Sequence, residues 1–374
     1  MSLSHLVAMP SLPVILLLLS SAMACAVEPP LVDDLVSCPT CGIRDVEVAT
    51  FLPQGDRFSF TTFPPVSLAR DRSGHFIAGP VTGEAVLAVF TPEGGVAGLF
   101  GAKGQGPGEF TGPPAPLFLA VGDGDTIHAV DPVDHYVLGP QASGYLSRTR
   151  MSVHASDAIV TGGHLLVGSY VLTSGGGTSI QILRDNGTVE RSVDEPQPRT
   201  PFPPNFLLAP AWGNPGVWVA HPTRYEVNHF ALDGVQTVRL ERRTEWFRPY
   251  DPSDATPGAP FLAPADPRVV GLVQDRQELV WVAIARAPSQ FRPPEQPAAR
   301  GEVRLDPFLD MNQLYRTTIE VLDPVAGKVV TRRDFEAYVR FVRDAVGETL
   351  AYWMEPLPDG DLGIKVVRLG VDGL

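Results

Sequence analysis

The chain has little of what many enzymes and nucleic-acid-binding proteins depend on. It contains only three cysteines in 374 residues, and its 29 lysines and arginines are outnumbered by 42 aspartates and glutamates. The formal net charge of −13 is opposite in sign to that of a protein that binds nucleic acid through the phosphates. We therefore expect no nucleic-acid partner, and we expect the acidity to favour solubility.

The cysteines also fall short of a zinc site. Cys38 and Cys41 have the C-x-x-C spacing of redox motifs and of half a zinc site, but no second pair of ligands follows. A thioredoxin-like pair would need a βαβ pattern around it, and none is visible. We favour a small local disulfide between Cys38 and Cys41 in an oxidising compartment, with a redox-active pair as the other interpretation.

Long apolar runs are lacking except near the N-terminus. Leu12–Ser21 is mostly apolar and is followed by small residues up to Ala26, which predicts a secretory signal peptide over residues 1–26. The run is too short for a comfortable membrane span. Cys25 resembles the lipid-attachment cysteine of bacterial lipoproteins, and simple cleavage is the other interpretation. We expect an exported protein that is periplasmic, anchored to the outer membrane through Cys25, or extracellular.

Recognisable catalytic and cofactor-binding motifs are missing as well. The sequence has no G-x-S-x-G elbow and no H-E-x-x-H zinc motif. Gly101–Gly108 is rich in glycine, but Pro113 and Pro114 follow and exclude the helix that a phosphate-binding loop requires. Asp123 and Asp125 supply too few oxygens for calcium, which needs six to eight. We expect no metal and no cofactor.

Glycine and proline, in contrast, are abundant. The 36 glycines and 38 prolines make up about a fifth of the chain, against roughly 12% in average proteins. Between them, short β-rich runs form six hairpins with tight turns. The paired strands of these hairpins are Val66–Arg70 and His75–Ala78, Leu117–Val121 and Thr126–Val130, Ala158–Val160 and His164–Gly168, Leu207–Ala211 and Val217–Ala220, Val269–Val273 and Leu279–Ile284, and Phe341–Arg343 and Thr349–Trp353.

Most of these hairpins are followed by a second one, and two hairpins make a four-stranded antiparallel sheet, the blade of a β-propeller. The last unit ends after Gly363–Leu369 without a fourth strand, whereas Ile43–Phe51 is a strand without a partner of its own. Pairing these two would close a ring. We therefore predict an all-β, six-bladed β-propeller over residues 43–374, monomeric, preceded by a segment 27–42 that carries the cysteine pair.

One glycine-rich connector carries a family resemblance. Gly104, Gly106, Pro107, Gly108 and Phe110 match the pattern G-x-x-G-x-G-P-G-x-F, which resembles the connector between blades of NHL-type six-bladed propellers. We expect a structural turn there. The resemblance covers about residues 43–374, although the connector occurs once and not in every blade. It places the chain near divergent, exported bacterial propellers.

Two groups of residues are candidates for a site. Arg243, Trp246, Arg248 and Tyr250 form a basic-aromatic segment, typical of a ligand or partner patch, or else of a solvated outer strand with surface ion pairs. Four histidines recur at similar places in the hairpins and are candidates for the polar lining of a central channel, or else simply point away from the packed face. These histidines are His75, His128, His164 and His221.

Function is the least determined property. The first hypothesis is a binding or scaffolding protein that uses one propeller face to hold a protein, a peptide or a saccharide. The second follows from the resemblance: some six-bladed propellers are lactonase-like hydrolases or metal-dependent lyases that act at the channel. Convergent His, Asp or Glu side chains in the channel would favour the enzyme. A channel lined by small or apolar groups would favour binding.

Overall fold

The computed structural model describes residues 31–32, 35–62, 65–110, 116–170, 178–193, 206–213, 215–249, 266–291 and 310–374. Regular structure in these ranges is almost entirely β-strand, as the scarcity of helical patterns predicts. The helical elements here are short 3-10 turns at Asp123–Asp125, Pro140–Ala142 and Met311–Gln313. In this part of the chain no helix has the length and apolarity needed to cross a bilayer.

The strands follow one another along the whole of the described chain. In chain order they are β1 Leu31–Val32, β2 Gly42–Phe51, β3 Phe58–Phe60, β4 Ser67–Arg70, β5 Phe76–Gly79, β6 Val81–Gly83, β7 Leu87–Phe90, β8 Val96–Phe100, β9 Ala102–Lys103, β10 Glu109–Phe110, β11 Phe118–Val121, β12 Ile127–Val130, β13 Asp134–Leu138, β14 Tyr145–Arg150, β15 His154–Thr161, β16 His164–Tyr170, β17 Thr178–Leu183, β18 Val189–Ser192, β19 Leu207–Pro210, β20 Gly216–His221, β21 Glu226–Ala231, β22 Gln236–Arg242, β23 Arg268–Gln274, β24 Val280–Arg286, β25 Arg316–Asp323, β26 Lys328–Phe335, β27 Arg340–Phe341, β28 Arg343–Asp344, β29 Leu350–Pro356 and β30 Leu362–Asp372.

Twenty-four of these strands build six four-stranded antiparallel sheets. From the inner to the outer strand, the blades are β4-β5-β7-β8, β11-β12-β13-β14, β15-β16-β17-β18, β19-β20-β21-β22, β23-β24-β25-β26 and β27-β29-β30-β2. Each inner strand contacts the inner strand of the next blade, and β28 returns to pair with β4 of the first. The sheets therefore form a closed ring, and the six-bladed β-propeller predicted from the sequence is confirmed.

Aspartates at the ends of inner strands explain why several hairpins turn where they do. Oδ1 of Asp71 accepts hydrogen bonds from the hydroxyl of Ser73 and the backbone N–H of His75, at 2.7 and 2.9 Å. Gly74 in the same turn has φ +92°, a conformation that glycine adopts without strain. Asp275 and Asp344 cap the corresponding turns of blades 5 and 6 in the same way. The tight turns predicted from the sequence are thus stabilised by an aspartate side-chain cap that recurs in blades 1, 5 and 6.

The ring closes through the N-terminal strand. β2 pairs antiparallel with β30, with Val46 opposite Arg368 and Ala49 opposite Val366. A bulge between Glu47 and Ala49 shifts the register once within the pair. The prediction that a strand around Val46 completes the last blade is confirmed. Closure gives blade 6 its fourth strand and pairs an edge of β30 that would otherwise stay open.

Before it enters blade 6, the chain runs along the outer edges of two other blades. β1 adds to β22 of blade 4 as a parallel strand, and Val36 bridges to Val329 of blade 5. The structure joins Cys38 and Cys41 by a disulfide. Beside it, the hydroxyl of Thr331 donates a hydrogen bond of 2.9 Å to the carbonyl of Cys41. This N-terminal belt connects blades 4, 5 and 6 on the outside of the ring.

The inner strand of blade 6 departs from the prediction. The sequence predicts one strand over Phe341–Arg343, but the structure divides it between two sheets. β27 pairs with β29 of its own blade, whereas β28 pairs in parallel with β4 of blade 1. The division is stabilised by side chains of β28, because Asp344 accepts hydrogen bonds from Arg70 and from two backbone N–H groups of its own turn.

The glycine-rich connector forms a turn between blades 1 and 2. β9 and β10 pair in parallel within it, and Gly108 has φ +75°. The side chain of Glu109 accepts a 2.7 Å hydrogen bond from the N–H of Gly106. Phe110 is buried, and its ring centroid lies 4.4 Å from that of Tyr136 in blade 2. The connector therefore fastens blade 1 to blade 2 through one aromatic contact.

The hydrophobic core lies between adjacent blades. The cluster between blades 6 and 1 is rich in phenylalanine, with Phe51 of the closing strand stacked on Phe90 at 4.4 Å. Phe58, Phe60 and Phe76 complete this group, and each is at most 1% exposed. Burying each such ring stabilises the fold by about 1.5–3 kcal/mol.

Candidate binding site at the channel mouth

The ends of the inner strands surround a pocket at one mouth of the central channel. It contains about 500 Å³ of empty space, its open mouth included. Five blades contribute to its wall, and most contributions are small or apolar. Ala120, Ile159, Ala209, Val273 and Val342 come from blades 2, 3, 4, 5 and 6 in turn. An apolar lining with a few polar groups is the usual character of a ligand pocket.

An ion pair across the channel accompanies this lining. Nη2 of Arg343 in blade 6 lies 2.9 and 2.7 Å from Oδ1 and Oδ2 of Asp157 in blade 3. Nη1 of Arg343 donates to the carbonyl of Leu208 in blade 4. Asp157 is 4% exposed and also accepts backbone N–H bonds from Ala158 and Leu208. Both groups are thus occupied in holding opposite sides of the ring together.

A second ion-pair network forms the wall between blades 6 and 1. Nε of Arg70 lies 2.6 Å from Oδ1 of Asp344, and its Nη2 lies 2.7 Å from Oε2 of Glu348. Burial alone would lower the pKa of Arg70, but the two carboxylates raise it. For Glu348, burial opposes ionisation, and Arg70 with Arg368 nevertheless lowers its pKa. The charges of this network therefore compensate one another, and its ion pairs hold the β28 turn in place.

Trp212 forms the aromatic rim of the pocket. Its backbone N–H donates a 2.7 Å hydrogen bond to the side chain of Gln274. Its ring packs directly on the backbone of Gly347, where an added Cβ would lie 2.5 Å from Cζ2 of the ring. The half-buried ring is therefore fixed against the β28 turn. The sequence signal for this residue was an aromatic side chain in a turn position that other blades fill with polar residues or glycine.

The four histidines expected along the channel do not come together. His75 lies in the first turn of blade 1 and is hydrogen-bonded to Ser73, while His128 lies inside β12 and contacts another histidine of its own blade. His164 begins β16, but His221 ends β20 and is therefore at the opposite end of its strand. His221 therefore does not share the strand position of His164, and the use of these four histidines as polar channel residues stays a prediction.

Sequence reasoning missed the partner of His128. Its Nδ1 lies 2.9 Å from Nε2 of His135 on the neighbouring strand, and the two rings stack. Burial, followed by the charge of His128, lowers the pKa of His135 to about 4, and burial also lowers the pKa of His128. Two histidines do not make a metal site, and the described ranges contain no group of three or more His, Cys, Asp or Glu that could hold an ion.

The structure separates the members of the basic-aromatic segment. Arg243 is exposed and pairs with Glu241 at 2.8 Å. The ring of Trp246 is half-buried and lies under the guanidinium of Arg286, 5.2 Å from it. Arg248 is exposed, and Tyr250 lies outside the described residues. The use of this segment as a partner patch stays a prediction.

Several solved structures are similar to this fold. The structure is similar to a DUF4221 family member from Bacteroides vulgatus, with a TM-score of 0.58 and 10% identity over 89% of this chain and 99% of that one. It also aligns with a gluconolactonase from Xanthomonas campestris (TM-score 0.46, 12% identity, 84% of this chain and 88% of that one). A virginiamycin B lyase from Staphylococcus aureus gives a TM-score of 0.44 and 11% identity over 87% of this chain and 99% of that one.

Sequence identities of 10–12% indicate a shared fold and nothing about activity. The chain is a β-propeller. No protein family matches its sequence, and no curated protein does either. The NHL-like resemblance of the glycine-rich connector is not confirmed, and no activity follows from the propeller fold, because propellers support many unrelated functions.

Proposed function

We propose that this protein is a binding module that holds an apolar side chain of a protein or peptide partner in the channel mouth beside Trp212. The observation that carries the proposal is the chemistry of the pocket. Its wall is mostly apolar, and its charged side chains, Arg343, Asp344 and Glu348, already pair with Asp157 and Arg70 of other blades. Trp212 adds an aromatic surface of the kind that is over-represented at binding sites.

Binding of a minimal apolar probe tests this proposal. N-acetyl-phenylalanine amide should bind the purified protein saturably in a calorimetric titration, and N-acetyl-glycine amide should not. Trp212→Ala should weaken binding of the phenylalanine probe about 10-fold or more, since an anchoring aromatic is worth at least 1–2 kcal/mol. The matched control is Trp353→Ala, a half-buried tryptophan whose ring lies 5.8 Å from Nζ of Lys365. Equal affinity in both variants would contradict the proposal.

A hydrolase or lyase acting at the channel is the second candidate. Such an enzyme needs a carboxylate or histidine that is free to exchange a proton. The pocket carboxylates Asp344 and Glu348 instead accept hydrogen bonds from Arg70 at 2.6 and 2.7 Å, and Asp157, the partner of Arg343 in the wall, accepts them at 2.7 and 2.9 Å. This observation favours binding. Turnover of simple lactones by wild-type protein, with its loss in Glu348→Gln, would reverse that order.

We also propose that the protein is exported. The support is the signal-peptide pattern of residues 1–26, which lies outside the described residues. Mass spectrometry of the mature N-terminus in a bacterial host decides between two outcomes. A chain that begins after the small-residue stretch indicates cleavage alone, and a diacylglyceryl group on Cys25 indicates a lipoprotein. Recovery of the intact residues 1–26 in the cytoplasm would contradict export.

A further inference from the structure

Arg340 lies at the other end of the inner strand of blade 6 from the pocket beside Trp212. It begins β27, four positions before Asp344, which corresponds to about 13 Å along an extended strand. Its Nη1 donates a 3.0 Å hydrogen bond to the carbonyl of Val66 in blade 1. The hydroxyl of Tyr352 donates to the same carbonyl at 2.6 Å, and Tyr352 is also hydrogen-bonded to Arg340. These two hydrogen bonds fix the direction of the Arg340 guanidinium.

Aromatic side chains extend from Arg340 towards blade 5. Tyr338 lies close enough to act electrostatically on Arg340, and its ring is 5.4 Å from that of Tyr315. Arg268 in turn places its guanidinium 5.6 Å over the ring of Tyr315 and donates to its hydroxyl at 3.3 Å. The Arg340 mouth, defined as Arg268, Tyr315, Tyr338, Arg340 and Tyr352, is therefore basic and aromatic in a chain whose net charge is strongly negative.

In the part of the chain that the structure describes, no ion pair joins Arg340 to a carboxylate of its own. Among the described residues, the carboxylate that acts on Arg340 is Asp157, and both oxygens of Asp157 are already held by Arg343. Within the described ranges, the guanidinium groups of Arg340 and Arg343 thus share one carboxylate, so these three side chains together carry a net positive charge. A half-buried cation without its own counter-ion is costly. An arginine also keeps N–H groups beyond those that bind Val66 and Tyr352.

We propose that the Arg340 mouth binds the carboxylate group of a small organic acid or of a peptide C-terminus. The planar guanidinium matches the two oxygens of a carboxylate. The tyrosines offer ring faces and hydroxyl groups to the remainder of the ligand. This site is separate from the pocket at the other mouth and does not depend on the function proposed there.

Titration with benzoate, followed by saturation-transfer NMR and calorimetry on the full protein, tests the site. Wild-type protein should bind benzoate saturably. Arg340→Gln should weaken binding at least 10-fold, and Arg340→Lys, which keeps the charge but loses the planar fork, should weaken it several-fold. The control is Arg316→Gln, since Arg316 is a half-exposed arginine of blade 5 paired with Glu336. It should leave benzoate binding unchanged.

Further arms identify the source of the carboxylate. N-acetyl-dialanine with a free carboxylate, compared with its amide, reports whether a peptide terminus is accepted; binding of both benzoate and the peptide acid, and not the amide, supports the proposal. Non-saturable benzoate binding, or equal affinity in wild type and Arg340→Lys and Arg340→Gln, overturns it. Circular dichroism identifies a variant that fails to fold, and the wild-type titration and the lysine variant then decide. Trp212→Ala should keep benzoate binding, so failure of one site is distinguished from failure of the other.

Discussion

Arg242 and Glu320 show how much one buried pair can matter at the scale of single residues. Nε of Arg242 lies 2.7 Å from Oε2 of Glu320, its Nη2 lies 2.9 Å from Oε1, and both side chains are at most 1% exposed. Arg242→Met would leave the buried Glu320 charge with the hydroxyl of Tyr225 as its remaining hydrogen-bond donor among the described residues. We expect a loss of about 3–5 kcal/mol in the free energy of unfolding, measured by urea denaturation.

The neighbouring Arg243 is a natural control for this prediction. Its side chain is 70% exposed although it also forms an ion pair, so Arg243→Met should cost less than about 1 kcal/mol. Replacing both residues, as in Arg242→Met with Glu320→Leu, should recover much of the loss, because the buried Glu320 charge is then removed as well. Similar losses in the two single variants would show that burial of the pair is unimportant.

The histidine pair predicts a pH dependence of stability. Because the pKa of His135 falls to about 4 in the folded protein, against about 6.5 in an unfolded chain, the unfolded state binds the extra proton first. The stability that the neutral ring contributes is therefore complete above pH 6.5 and is lost as the pH falls towards 4. Urea denaturation between pH 7 and 4.5 should give a shallower decline for His135→Phe than for wild type. Parallel declines would refute this origin.

At the scale of elements, β2 should be as much a part of the core as any inner strand. Phe51 at its end is fully buried, whereas the adjacent Leu52 is 52% exposed. Phe51→Ala should therefore cost about 3–5 kcal/mol in the free energy of unfolding, and Leu52→Ala should change it by about 0.5 kcal/mol or less. Hydrogen exchange of the β30 amides should accelerate in the first variant and not in the second.

The same elements show what a sequence can and cannot reveal. Hairpins are readable because turn aspartates such as Asp71 and alternating strand residues are local signals, and the strand containing Val46 was readable because blade 6 lacked a partner. β28 could not be predicted from the sequence, because a strand of two residues that pairs in parallel with β4 produces no hydrophobic periodicity. Arg343 and Asp157 meet across 186 positions of sequence, and no spacing rule connects them. His135 did have an overlooked signal, because a tight hairpin brings its strand beside the strand of His128, and so did Trp212, an aromatic residue at a turn position that is polar or glycine in the other blades.

At the scale of the whole molecule, the Arg343–Asp157 pair connects opposite sides of the ring. Asp157→Asn removes the charge while keeping the shape of the side chain, so the loss reports on the ion pair itself. We expect the free energy of unfolding to fall by about 3 kcal/mol, in a single cooperative urea transition. Asp45→Asn is the control, since Asp45 pairs with Arg333 at the outer surface and should contribute less than about 1 kcal/mol. Equal losses would mean that the channel pair does not tie the blades together.

The closing strand has a consequence for biosynthesis. During synthesis, β2 is made before the other strands of the six sheets, whereas its partner β30 is made last. At ordinary rates of translation, the earlier strand waits on the order of tens of seconds for the later one. A nascent propeller thus spends most of its synthesis with a β-strand that has nowhere to dock. A chain that stops before β30 leaves the edge of β2 unpaired, and an open strand edge is a template for aggregation.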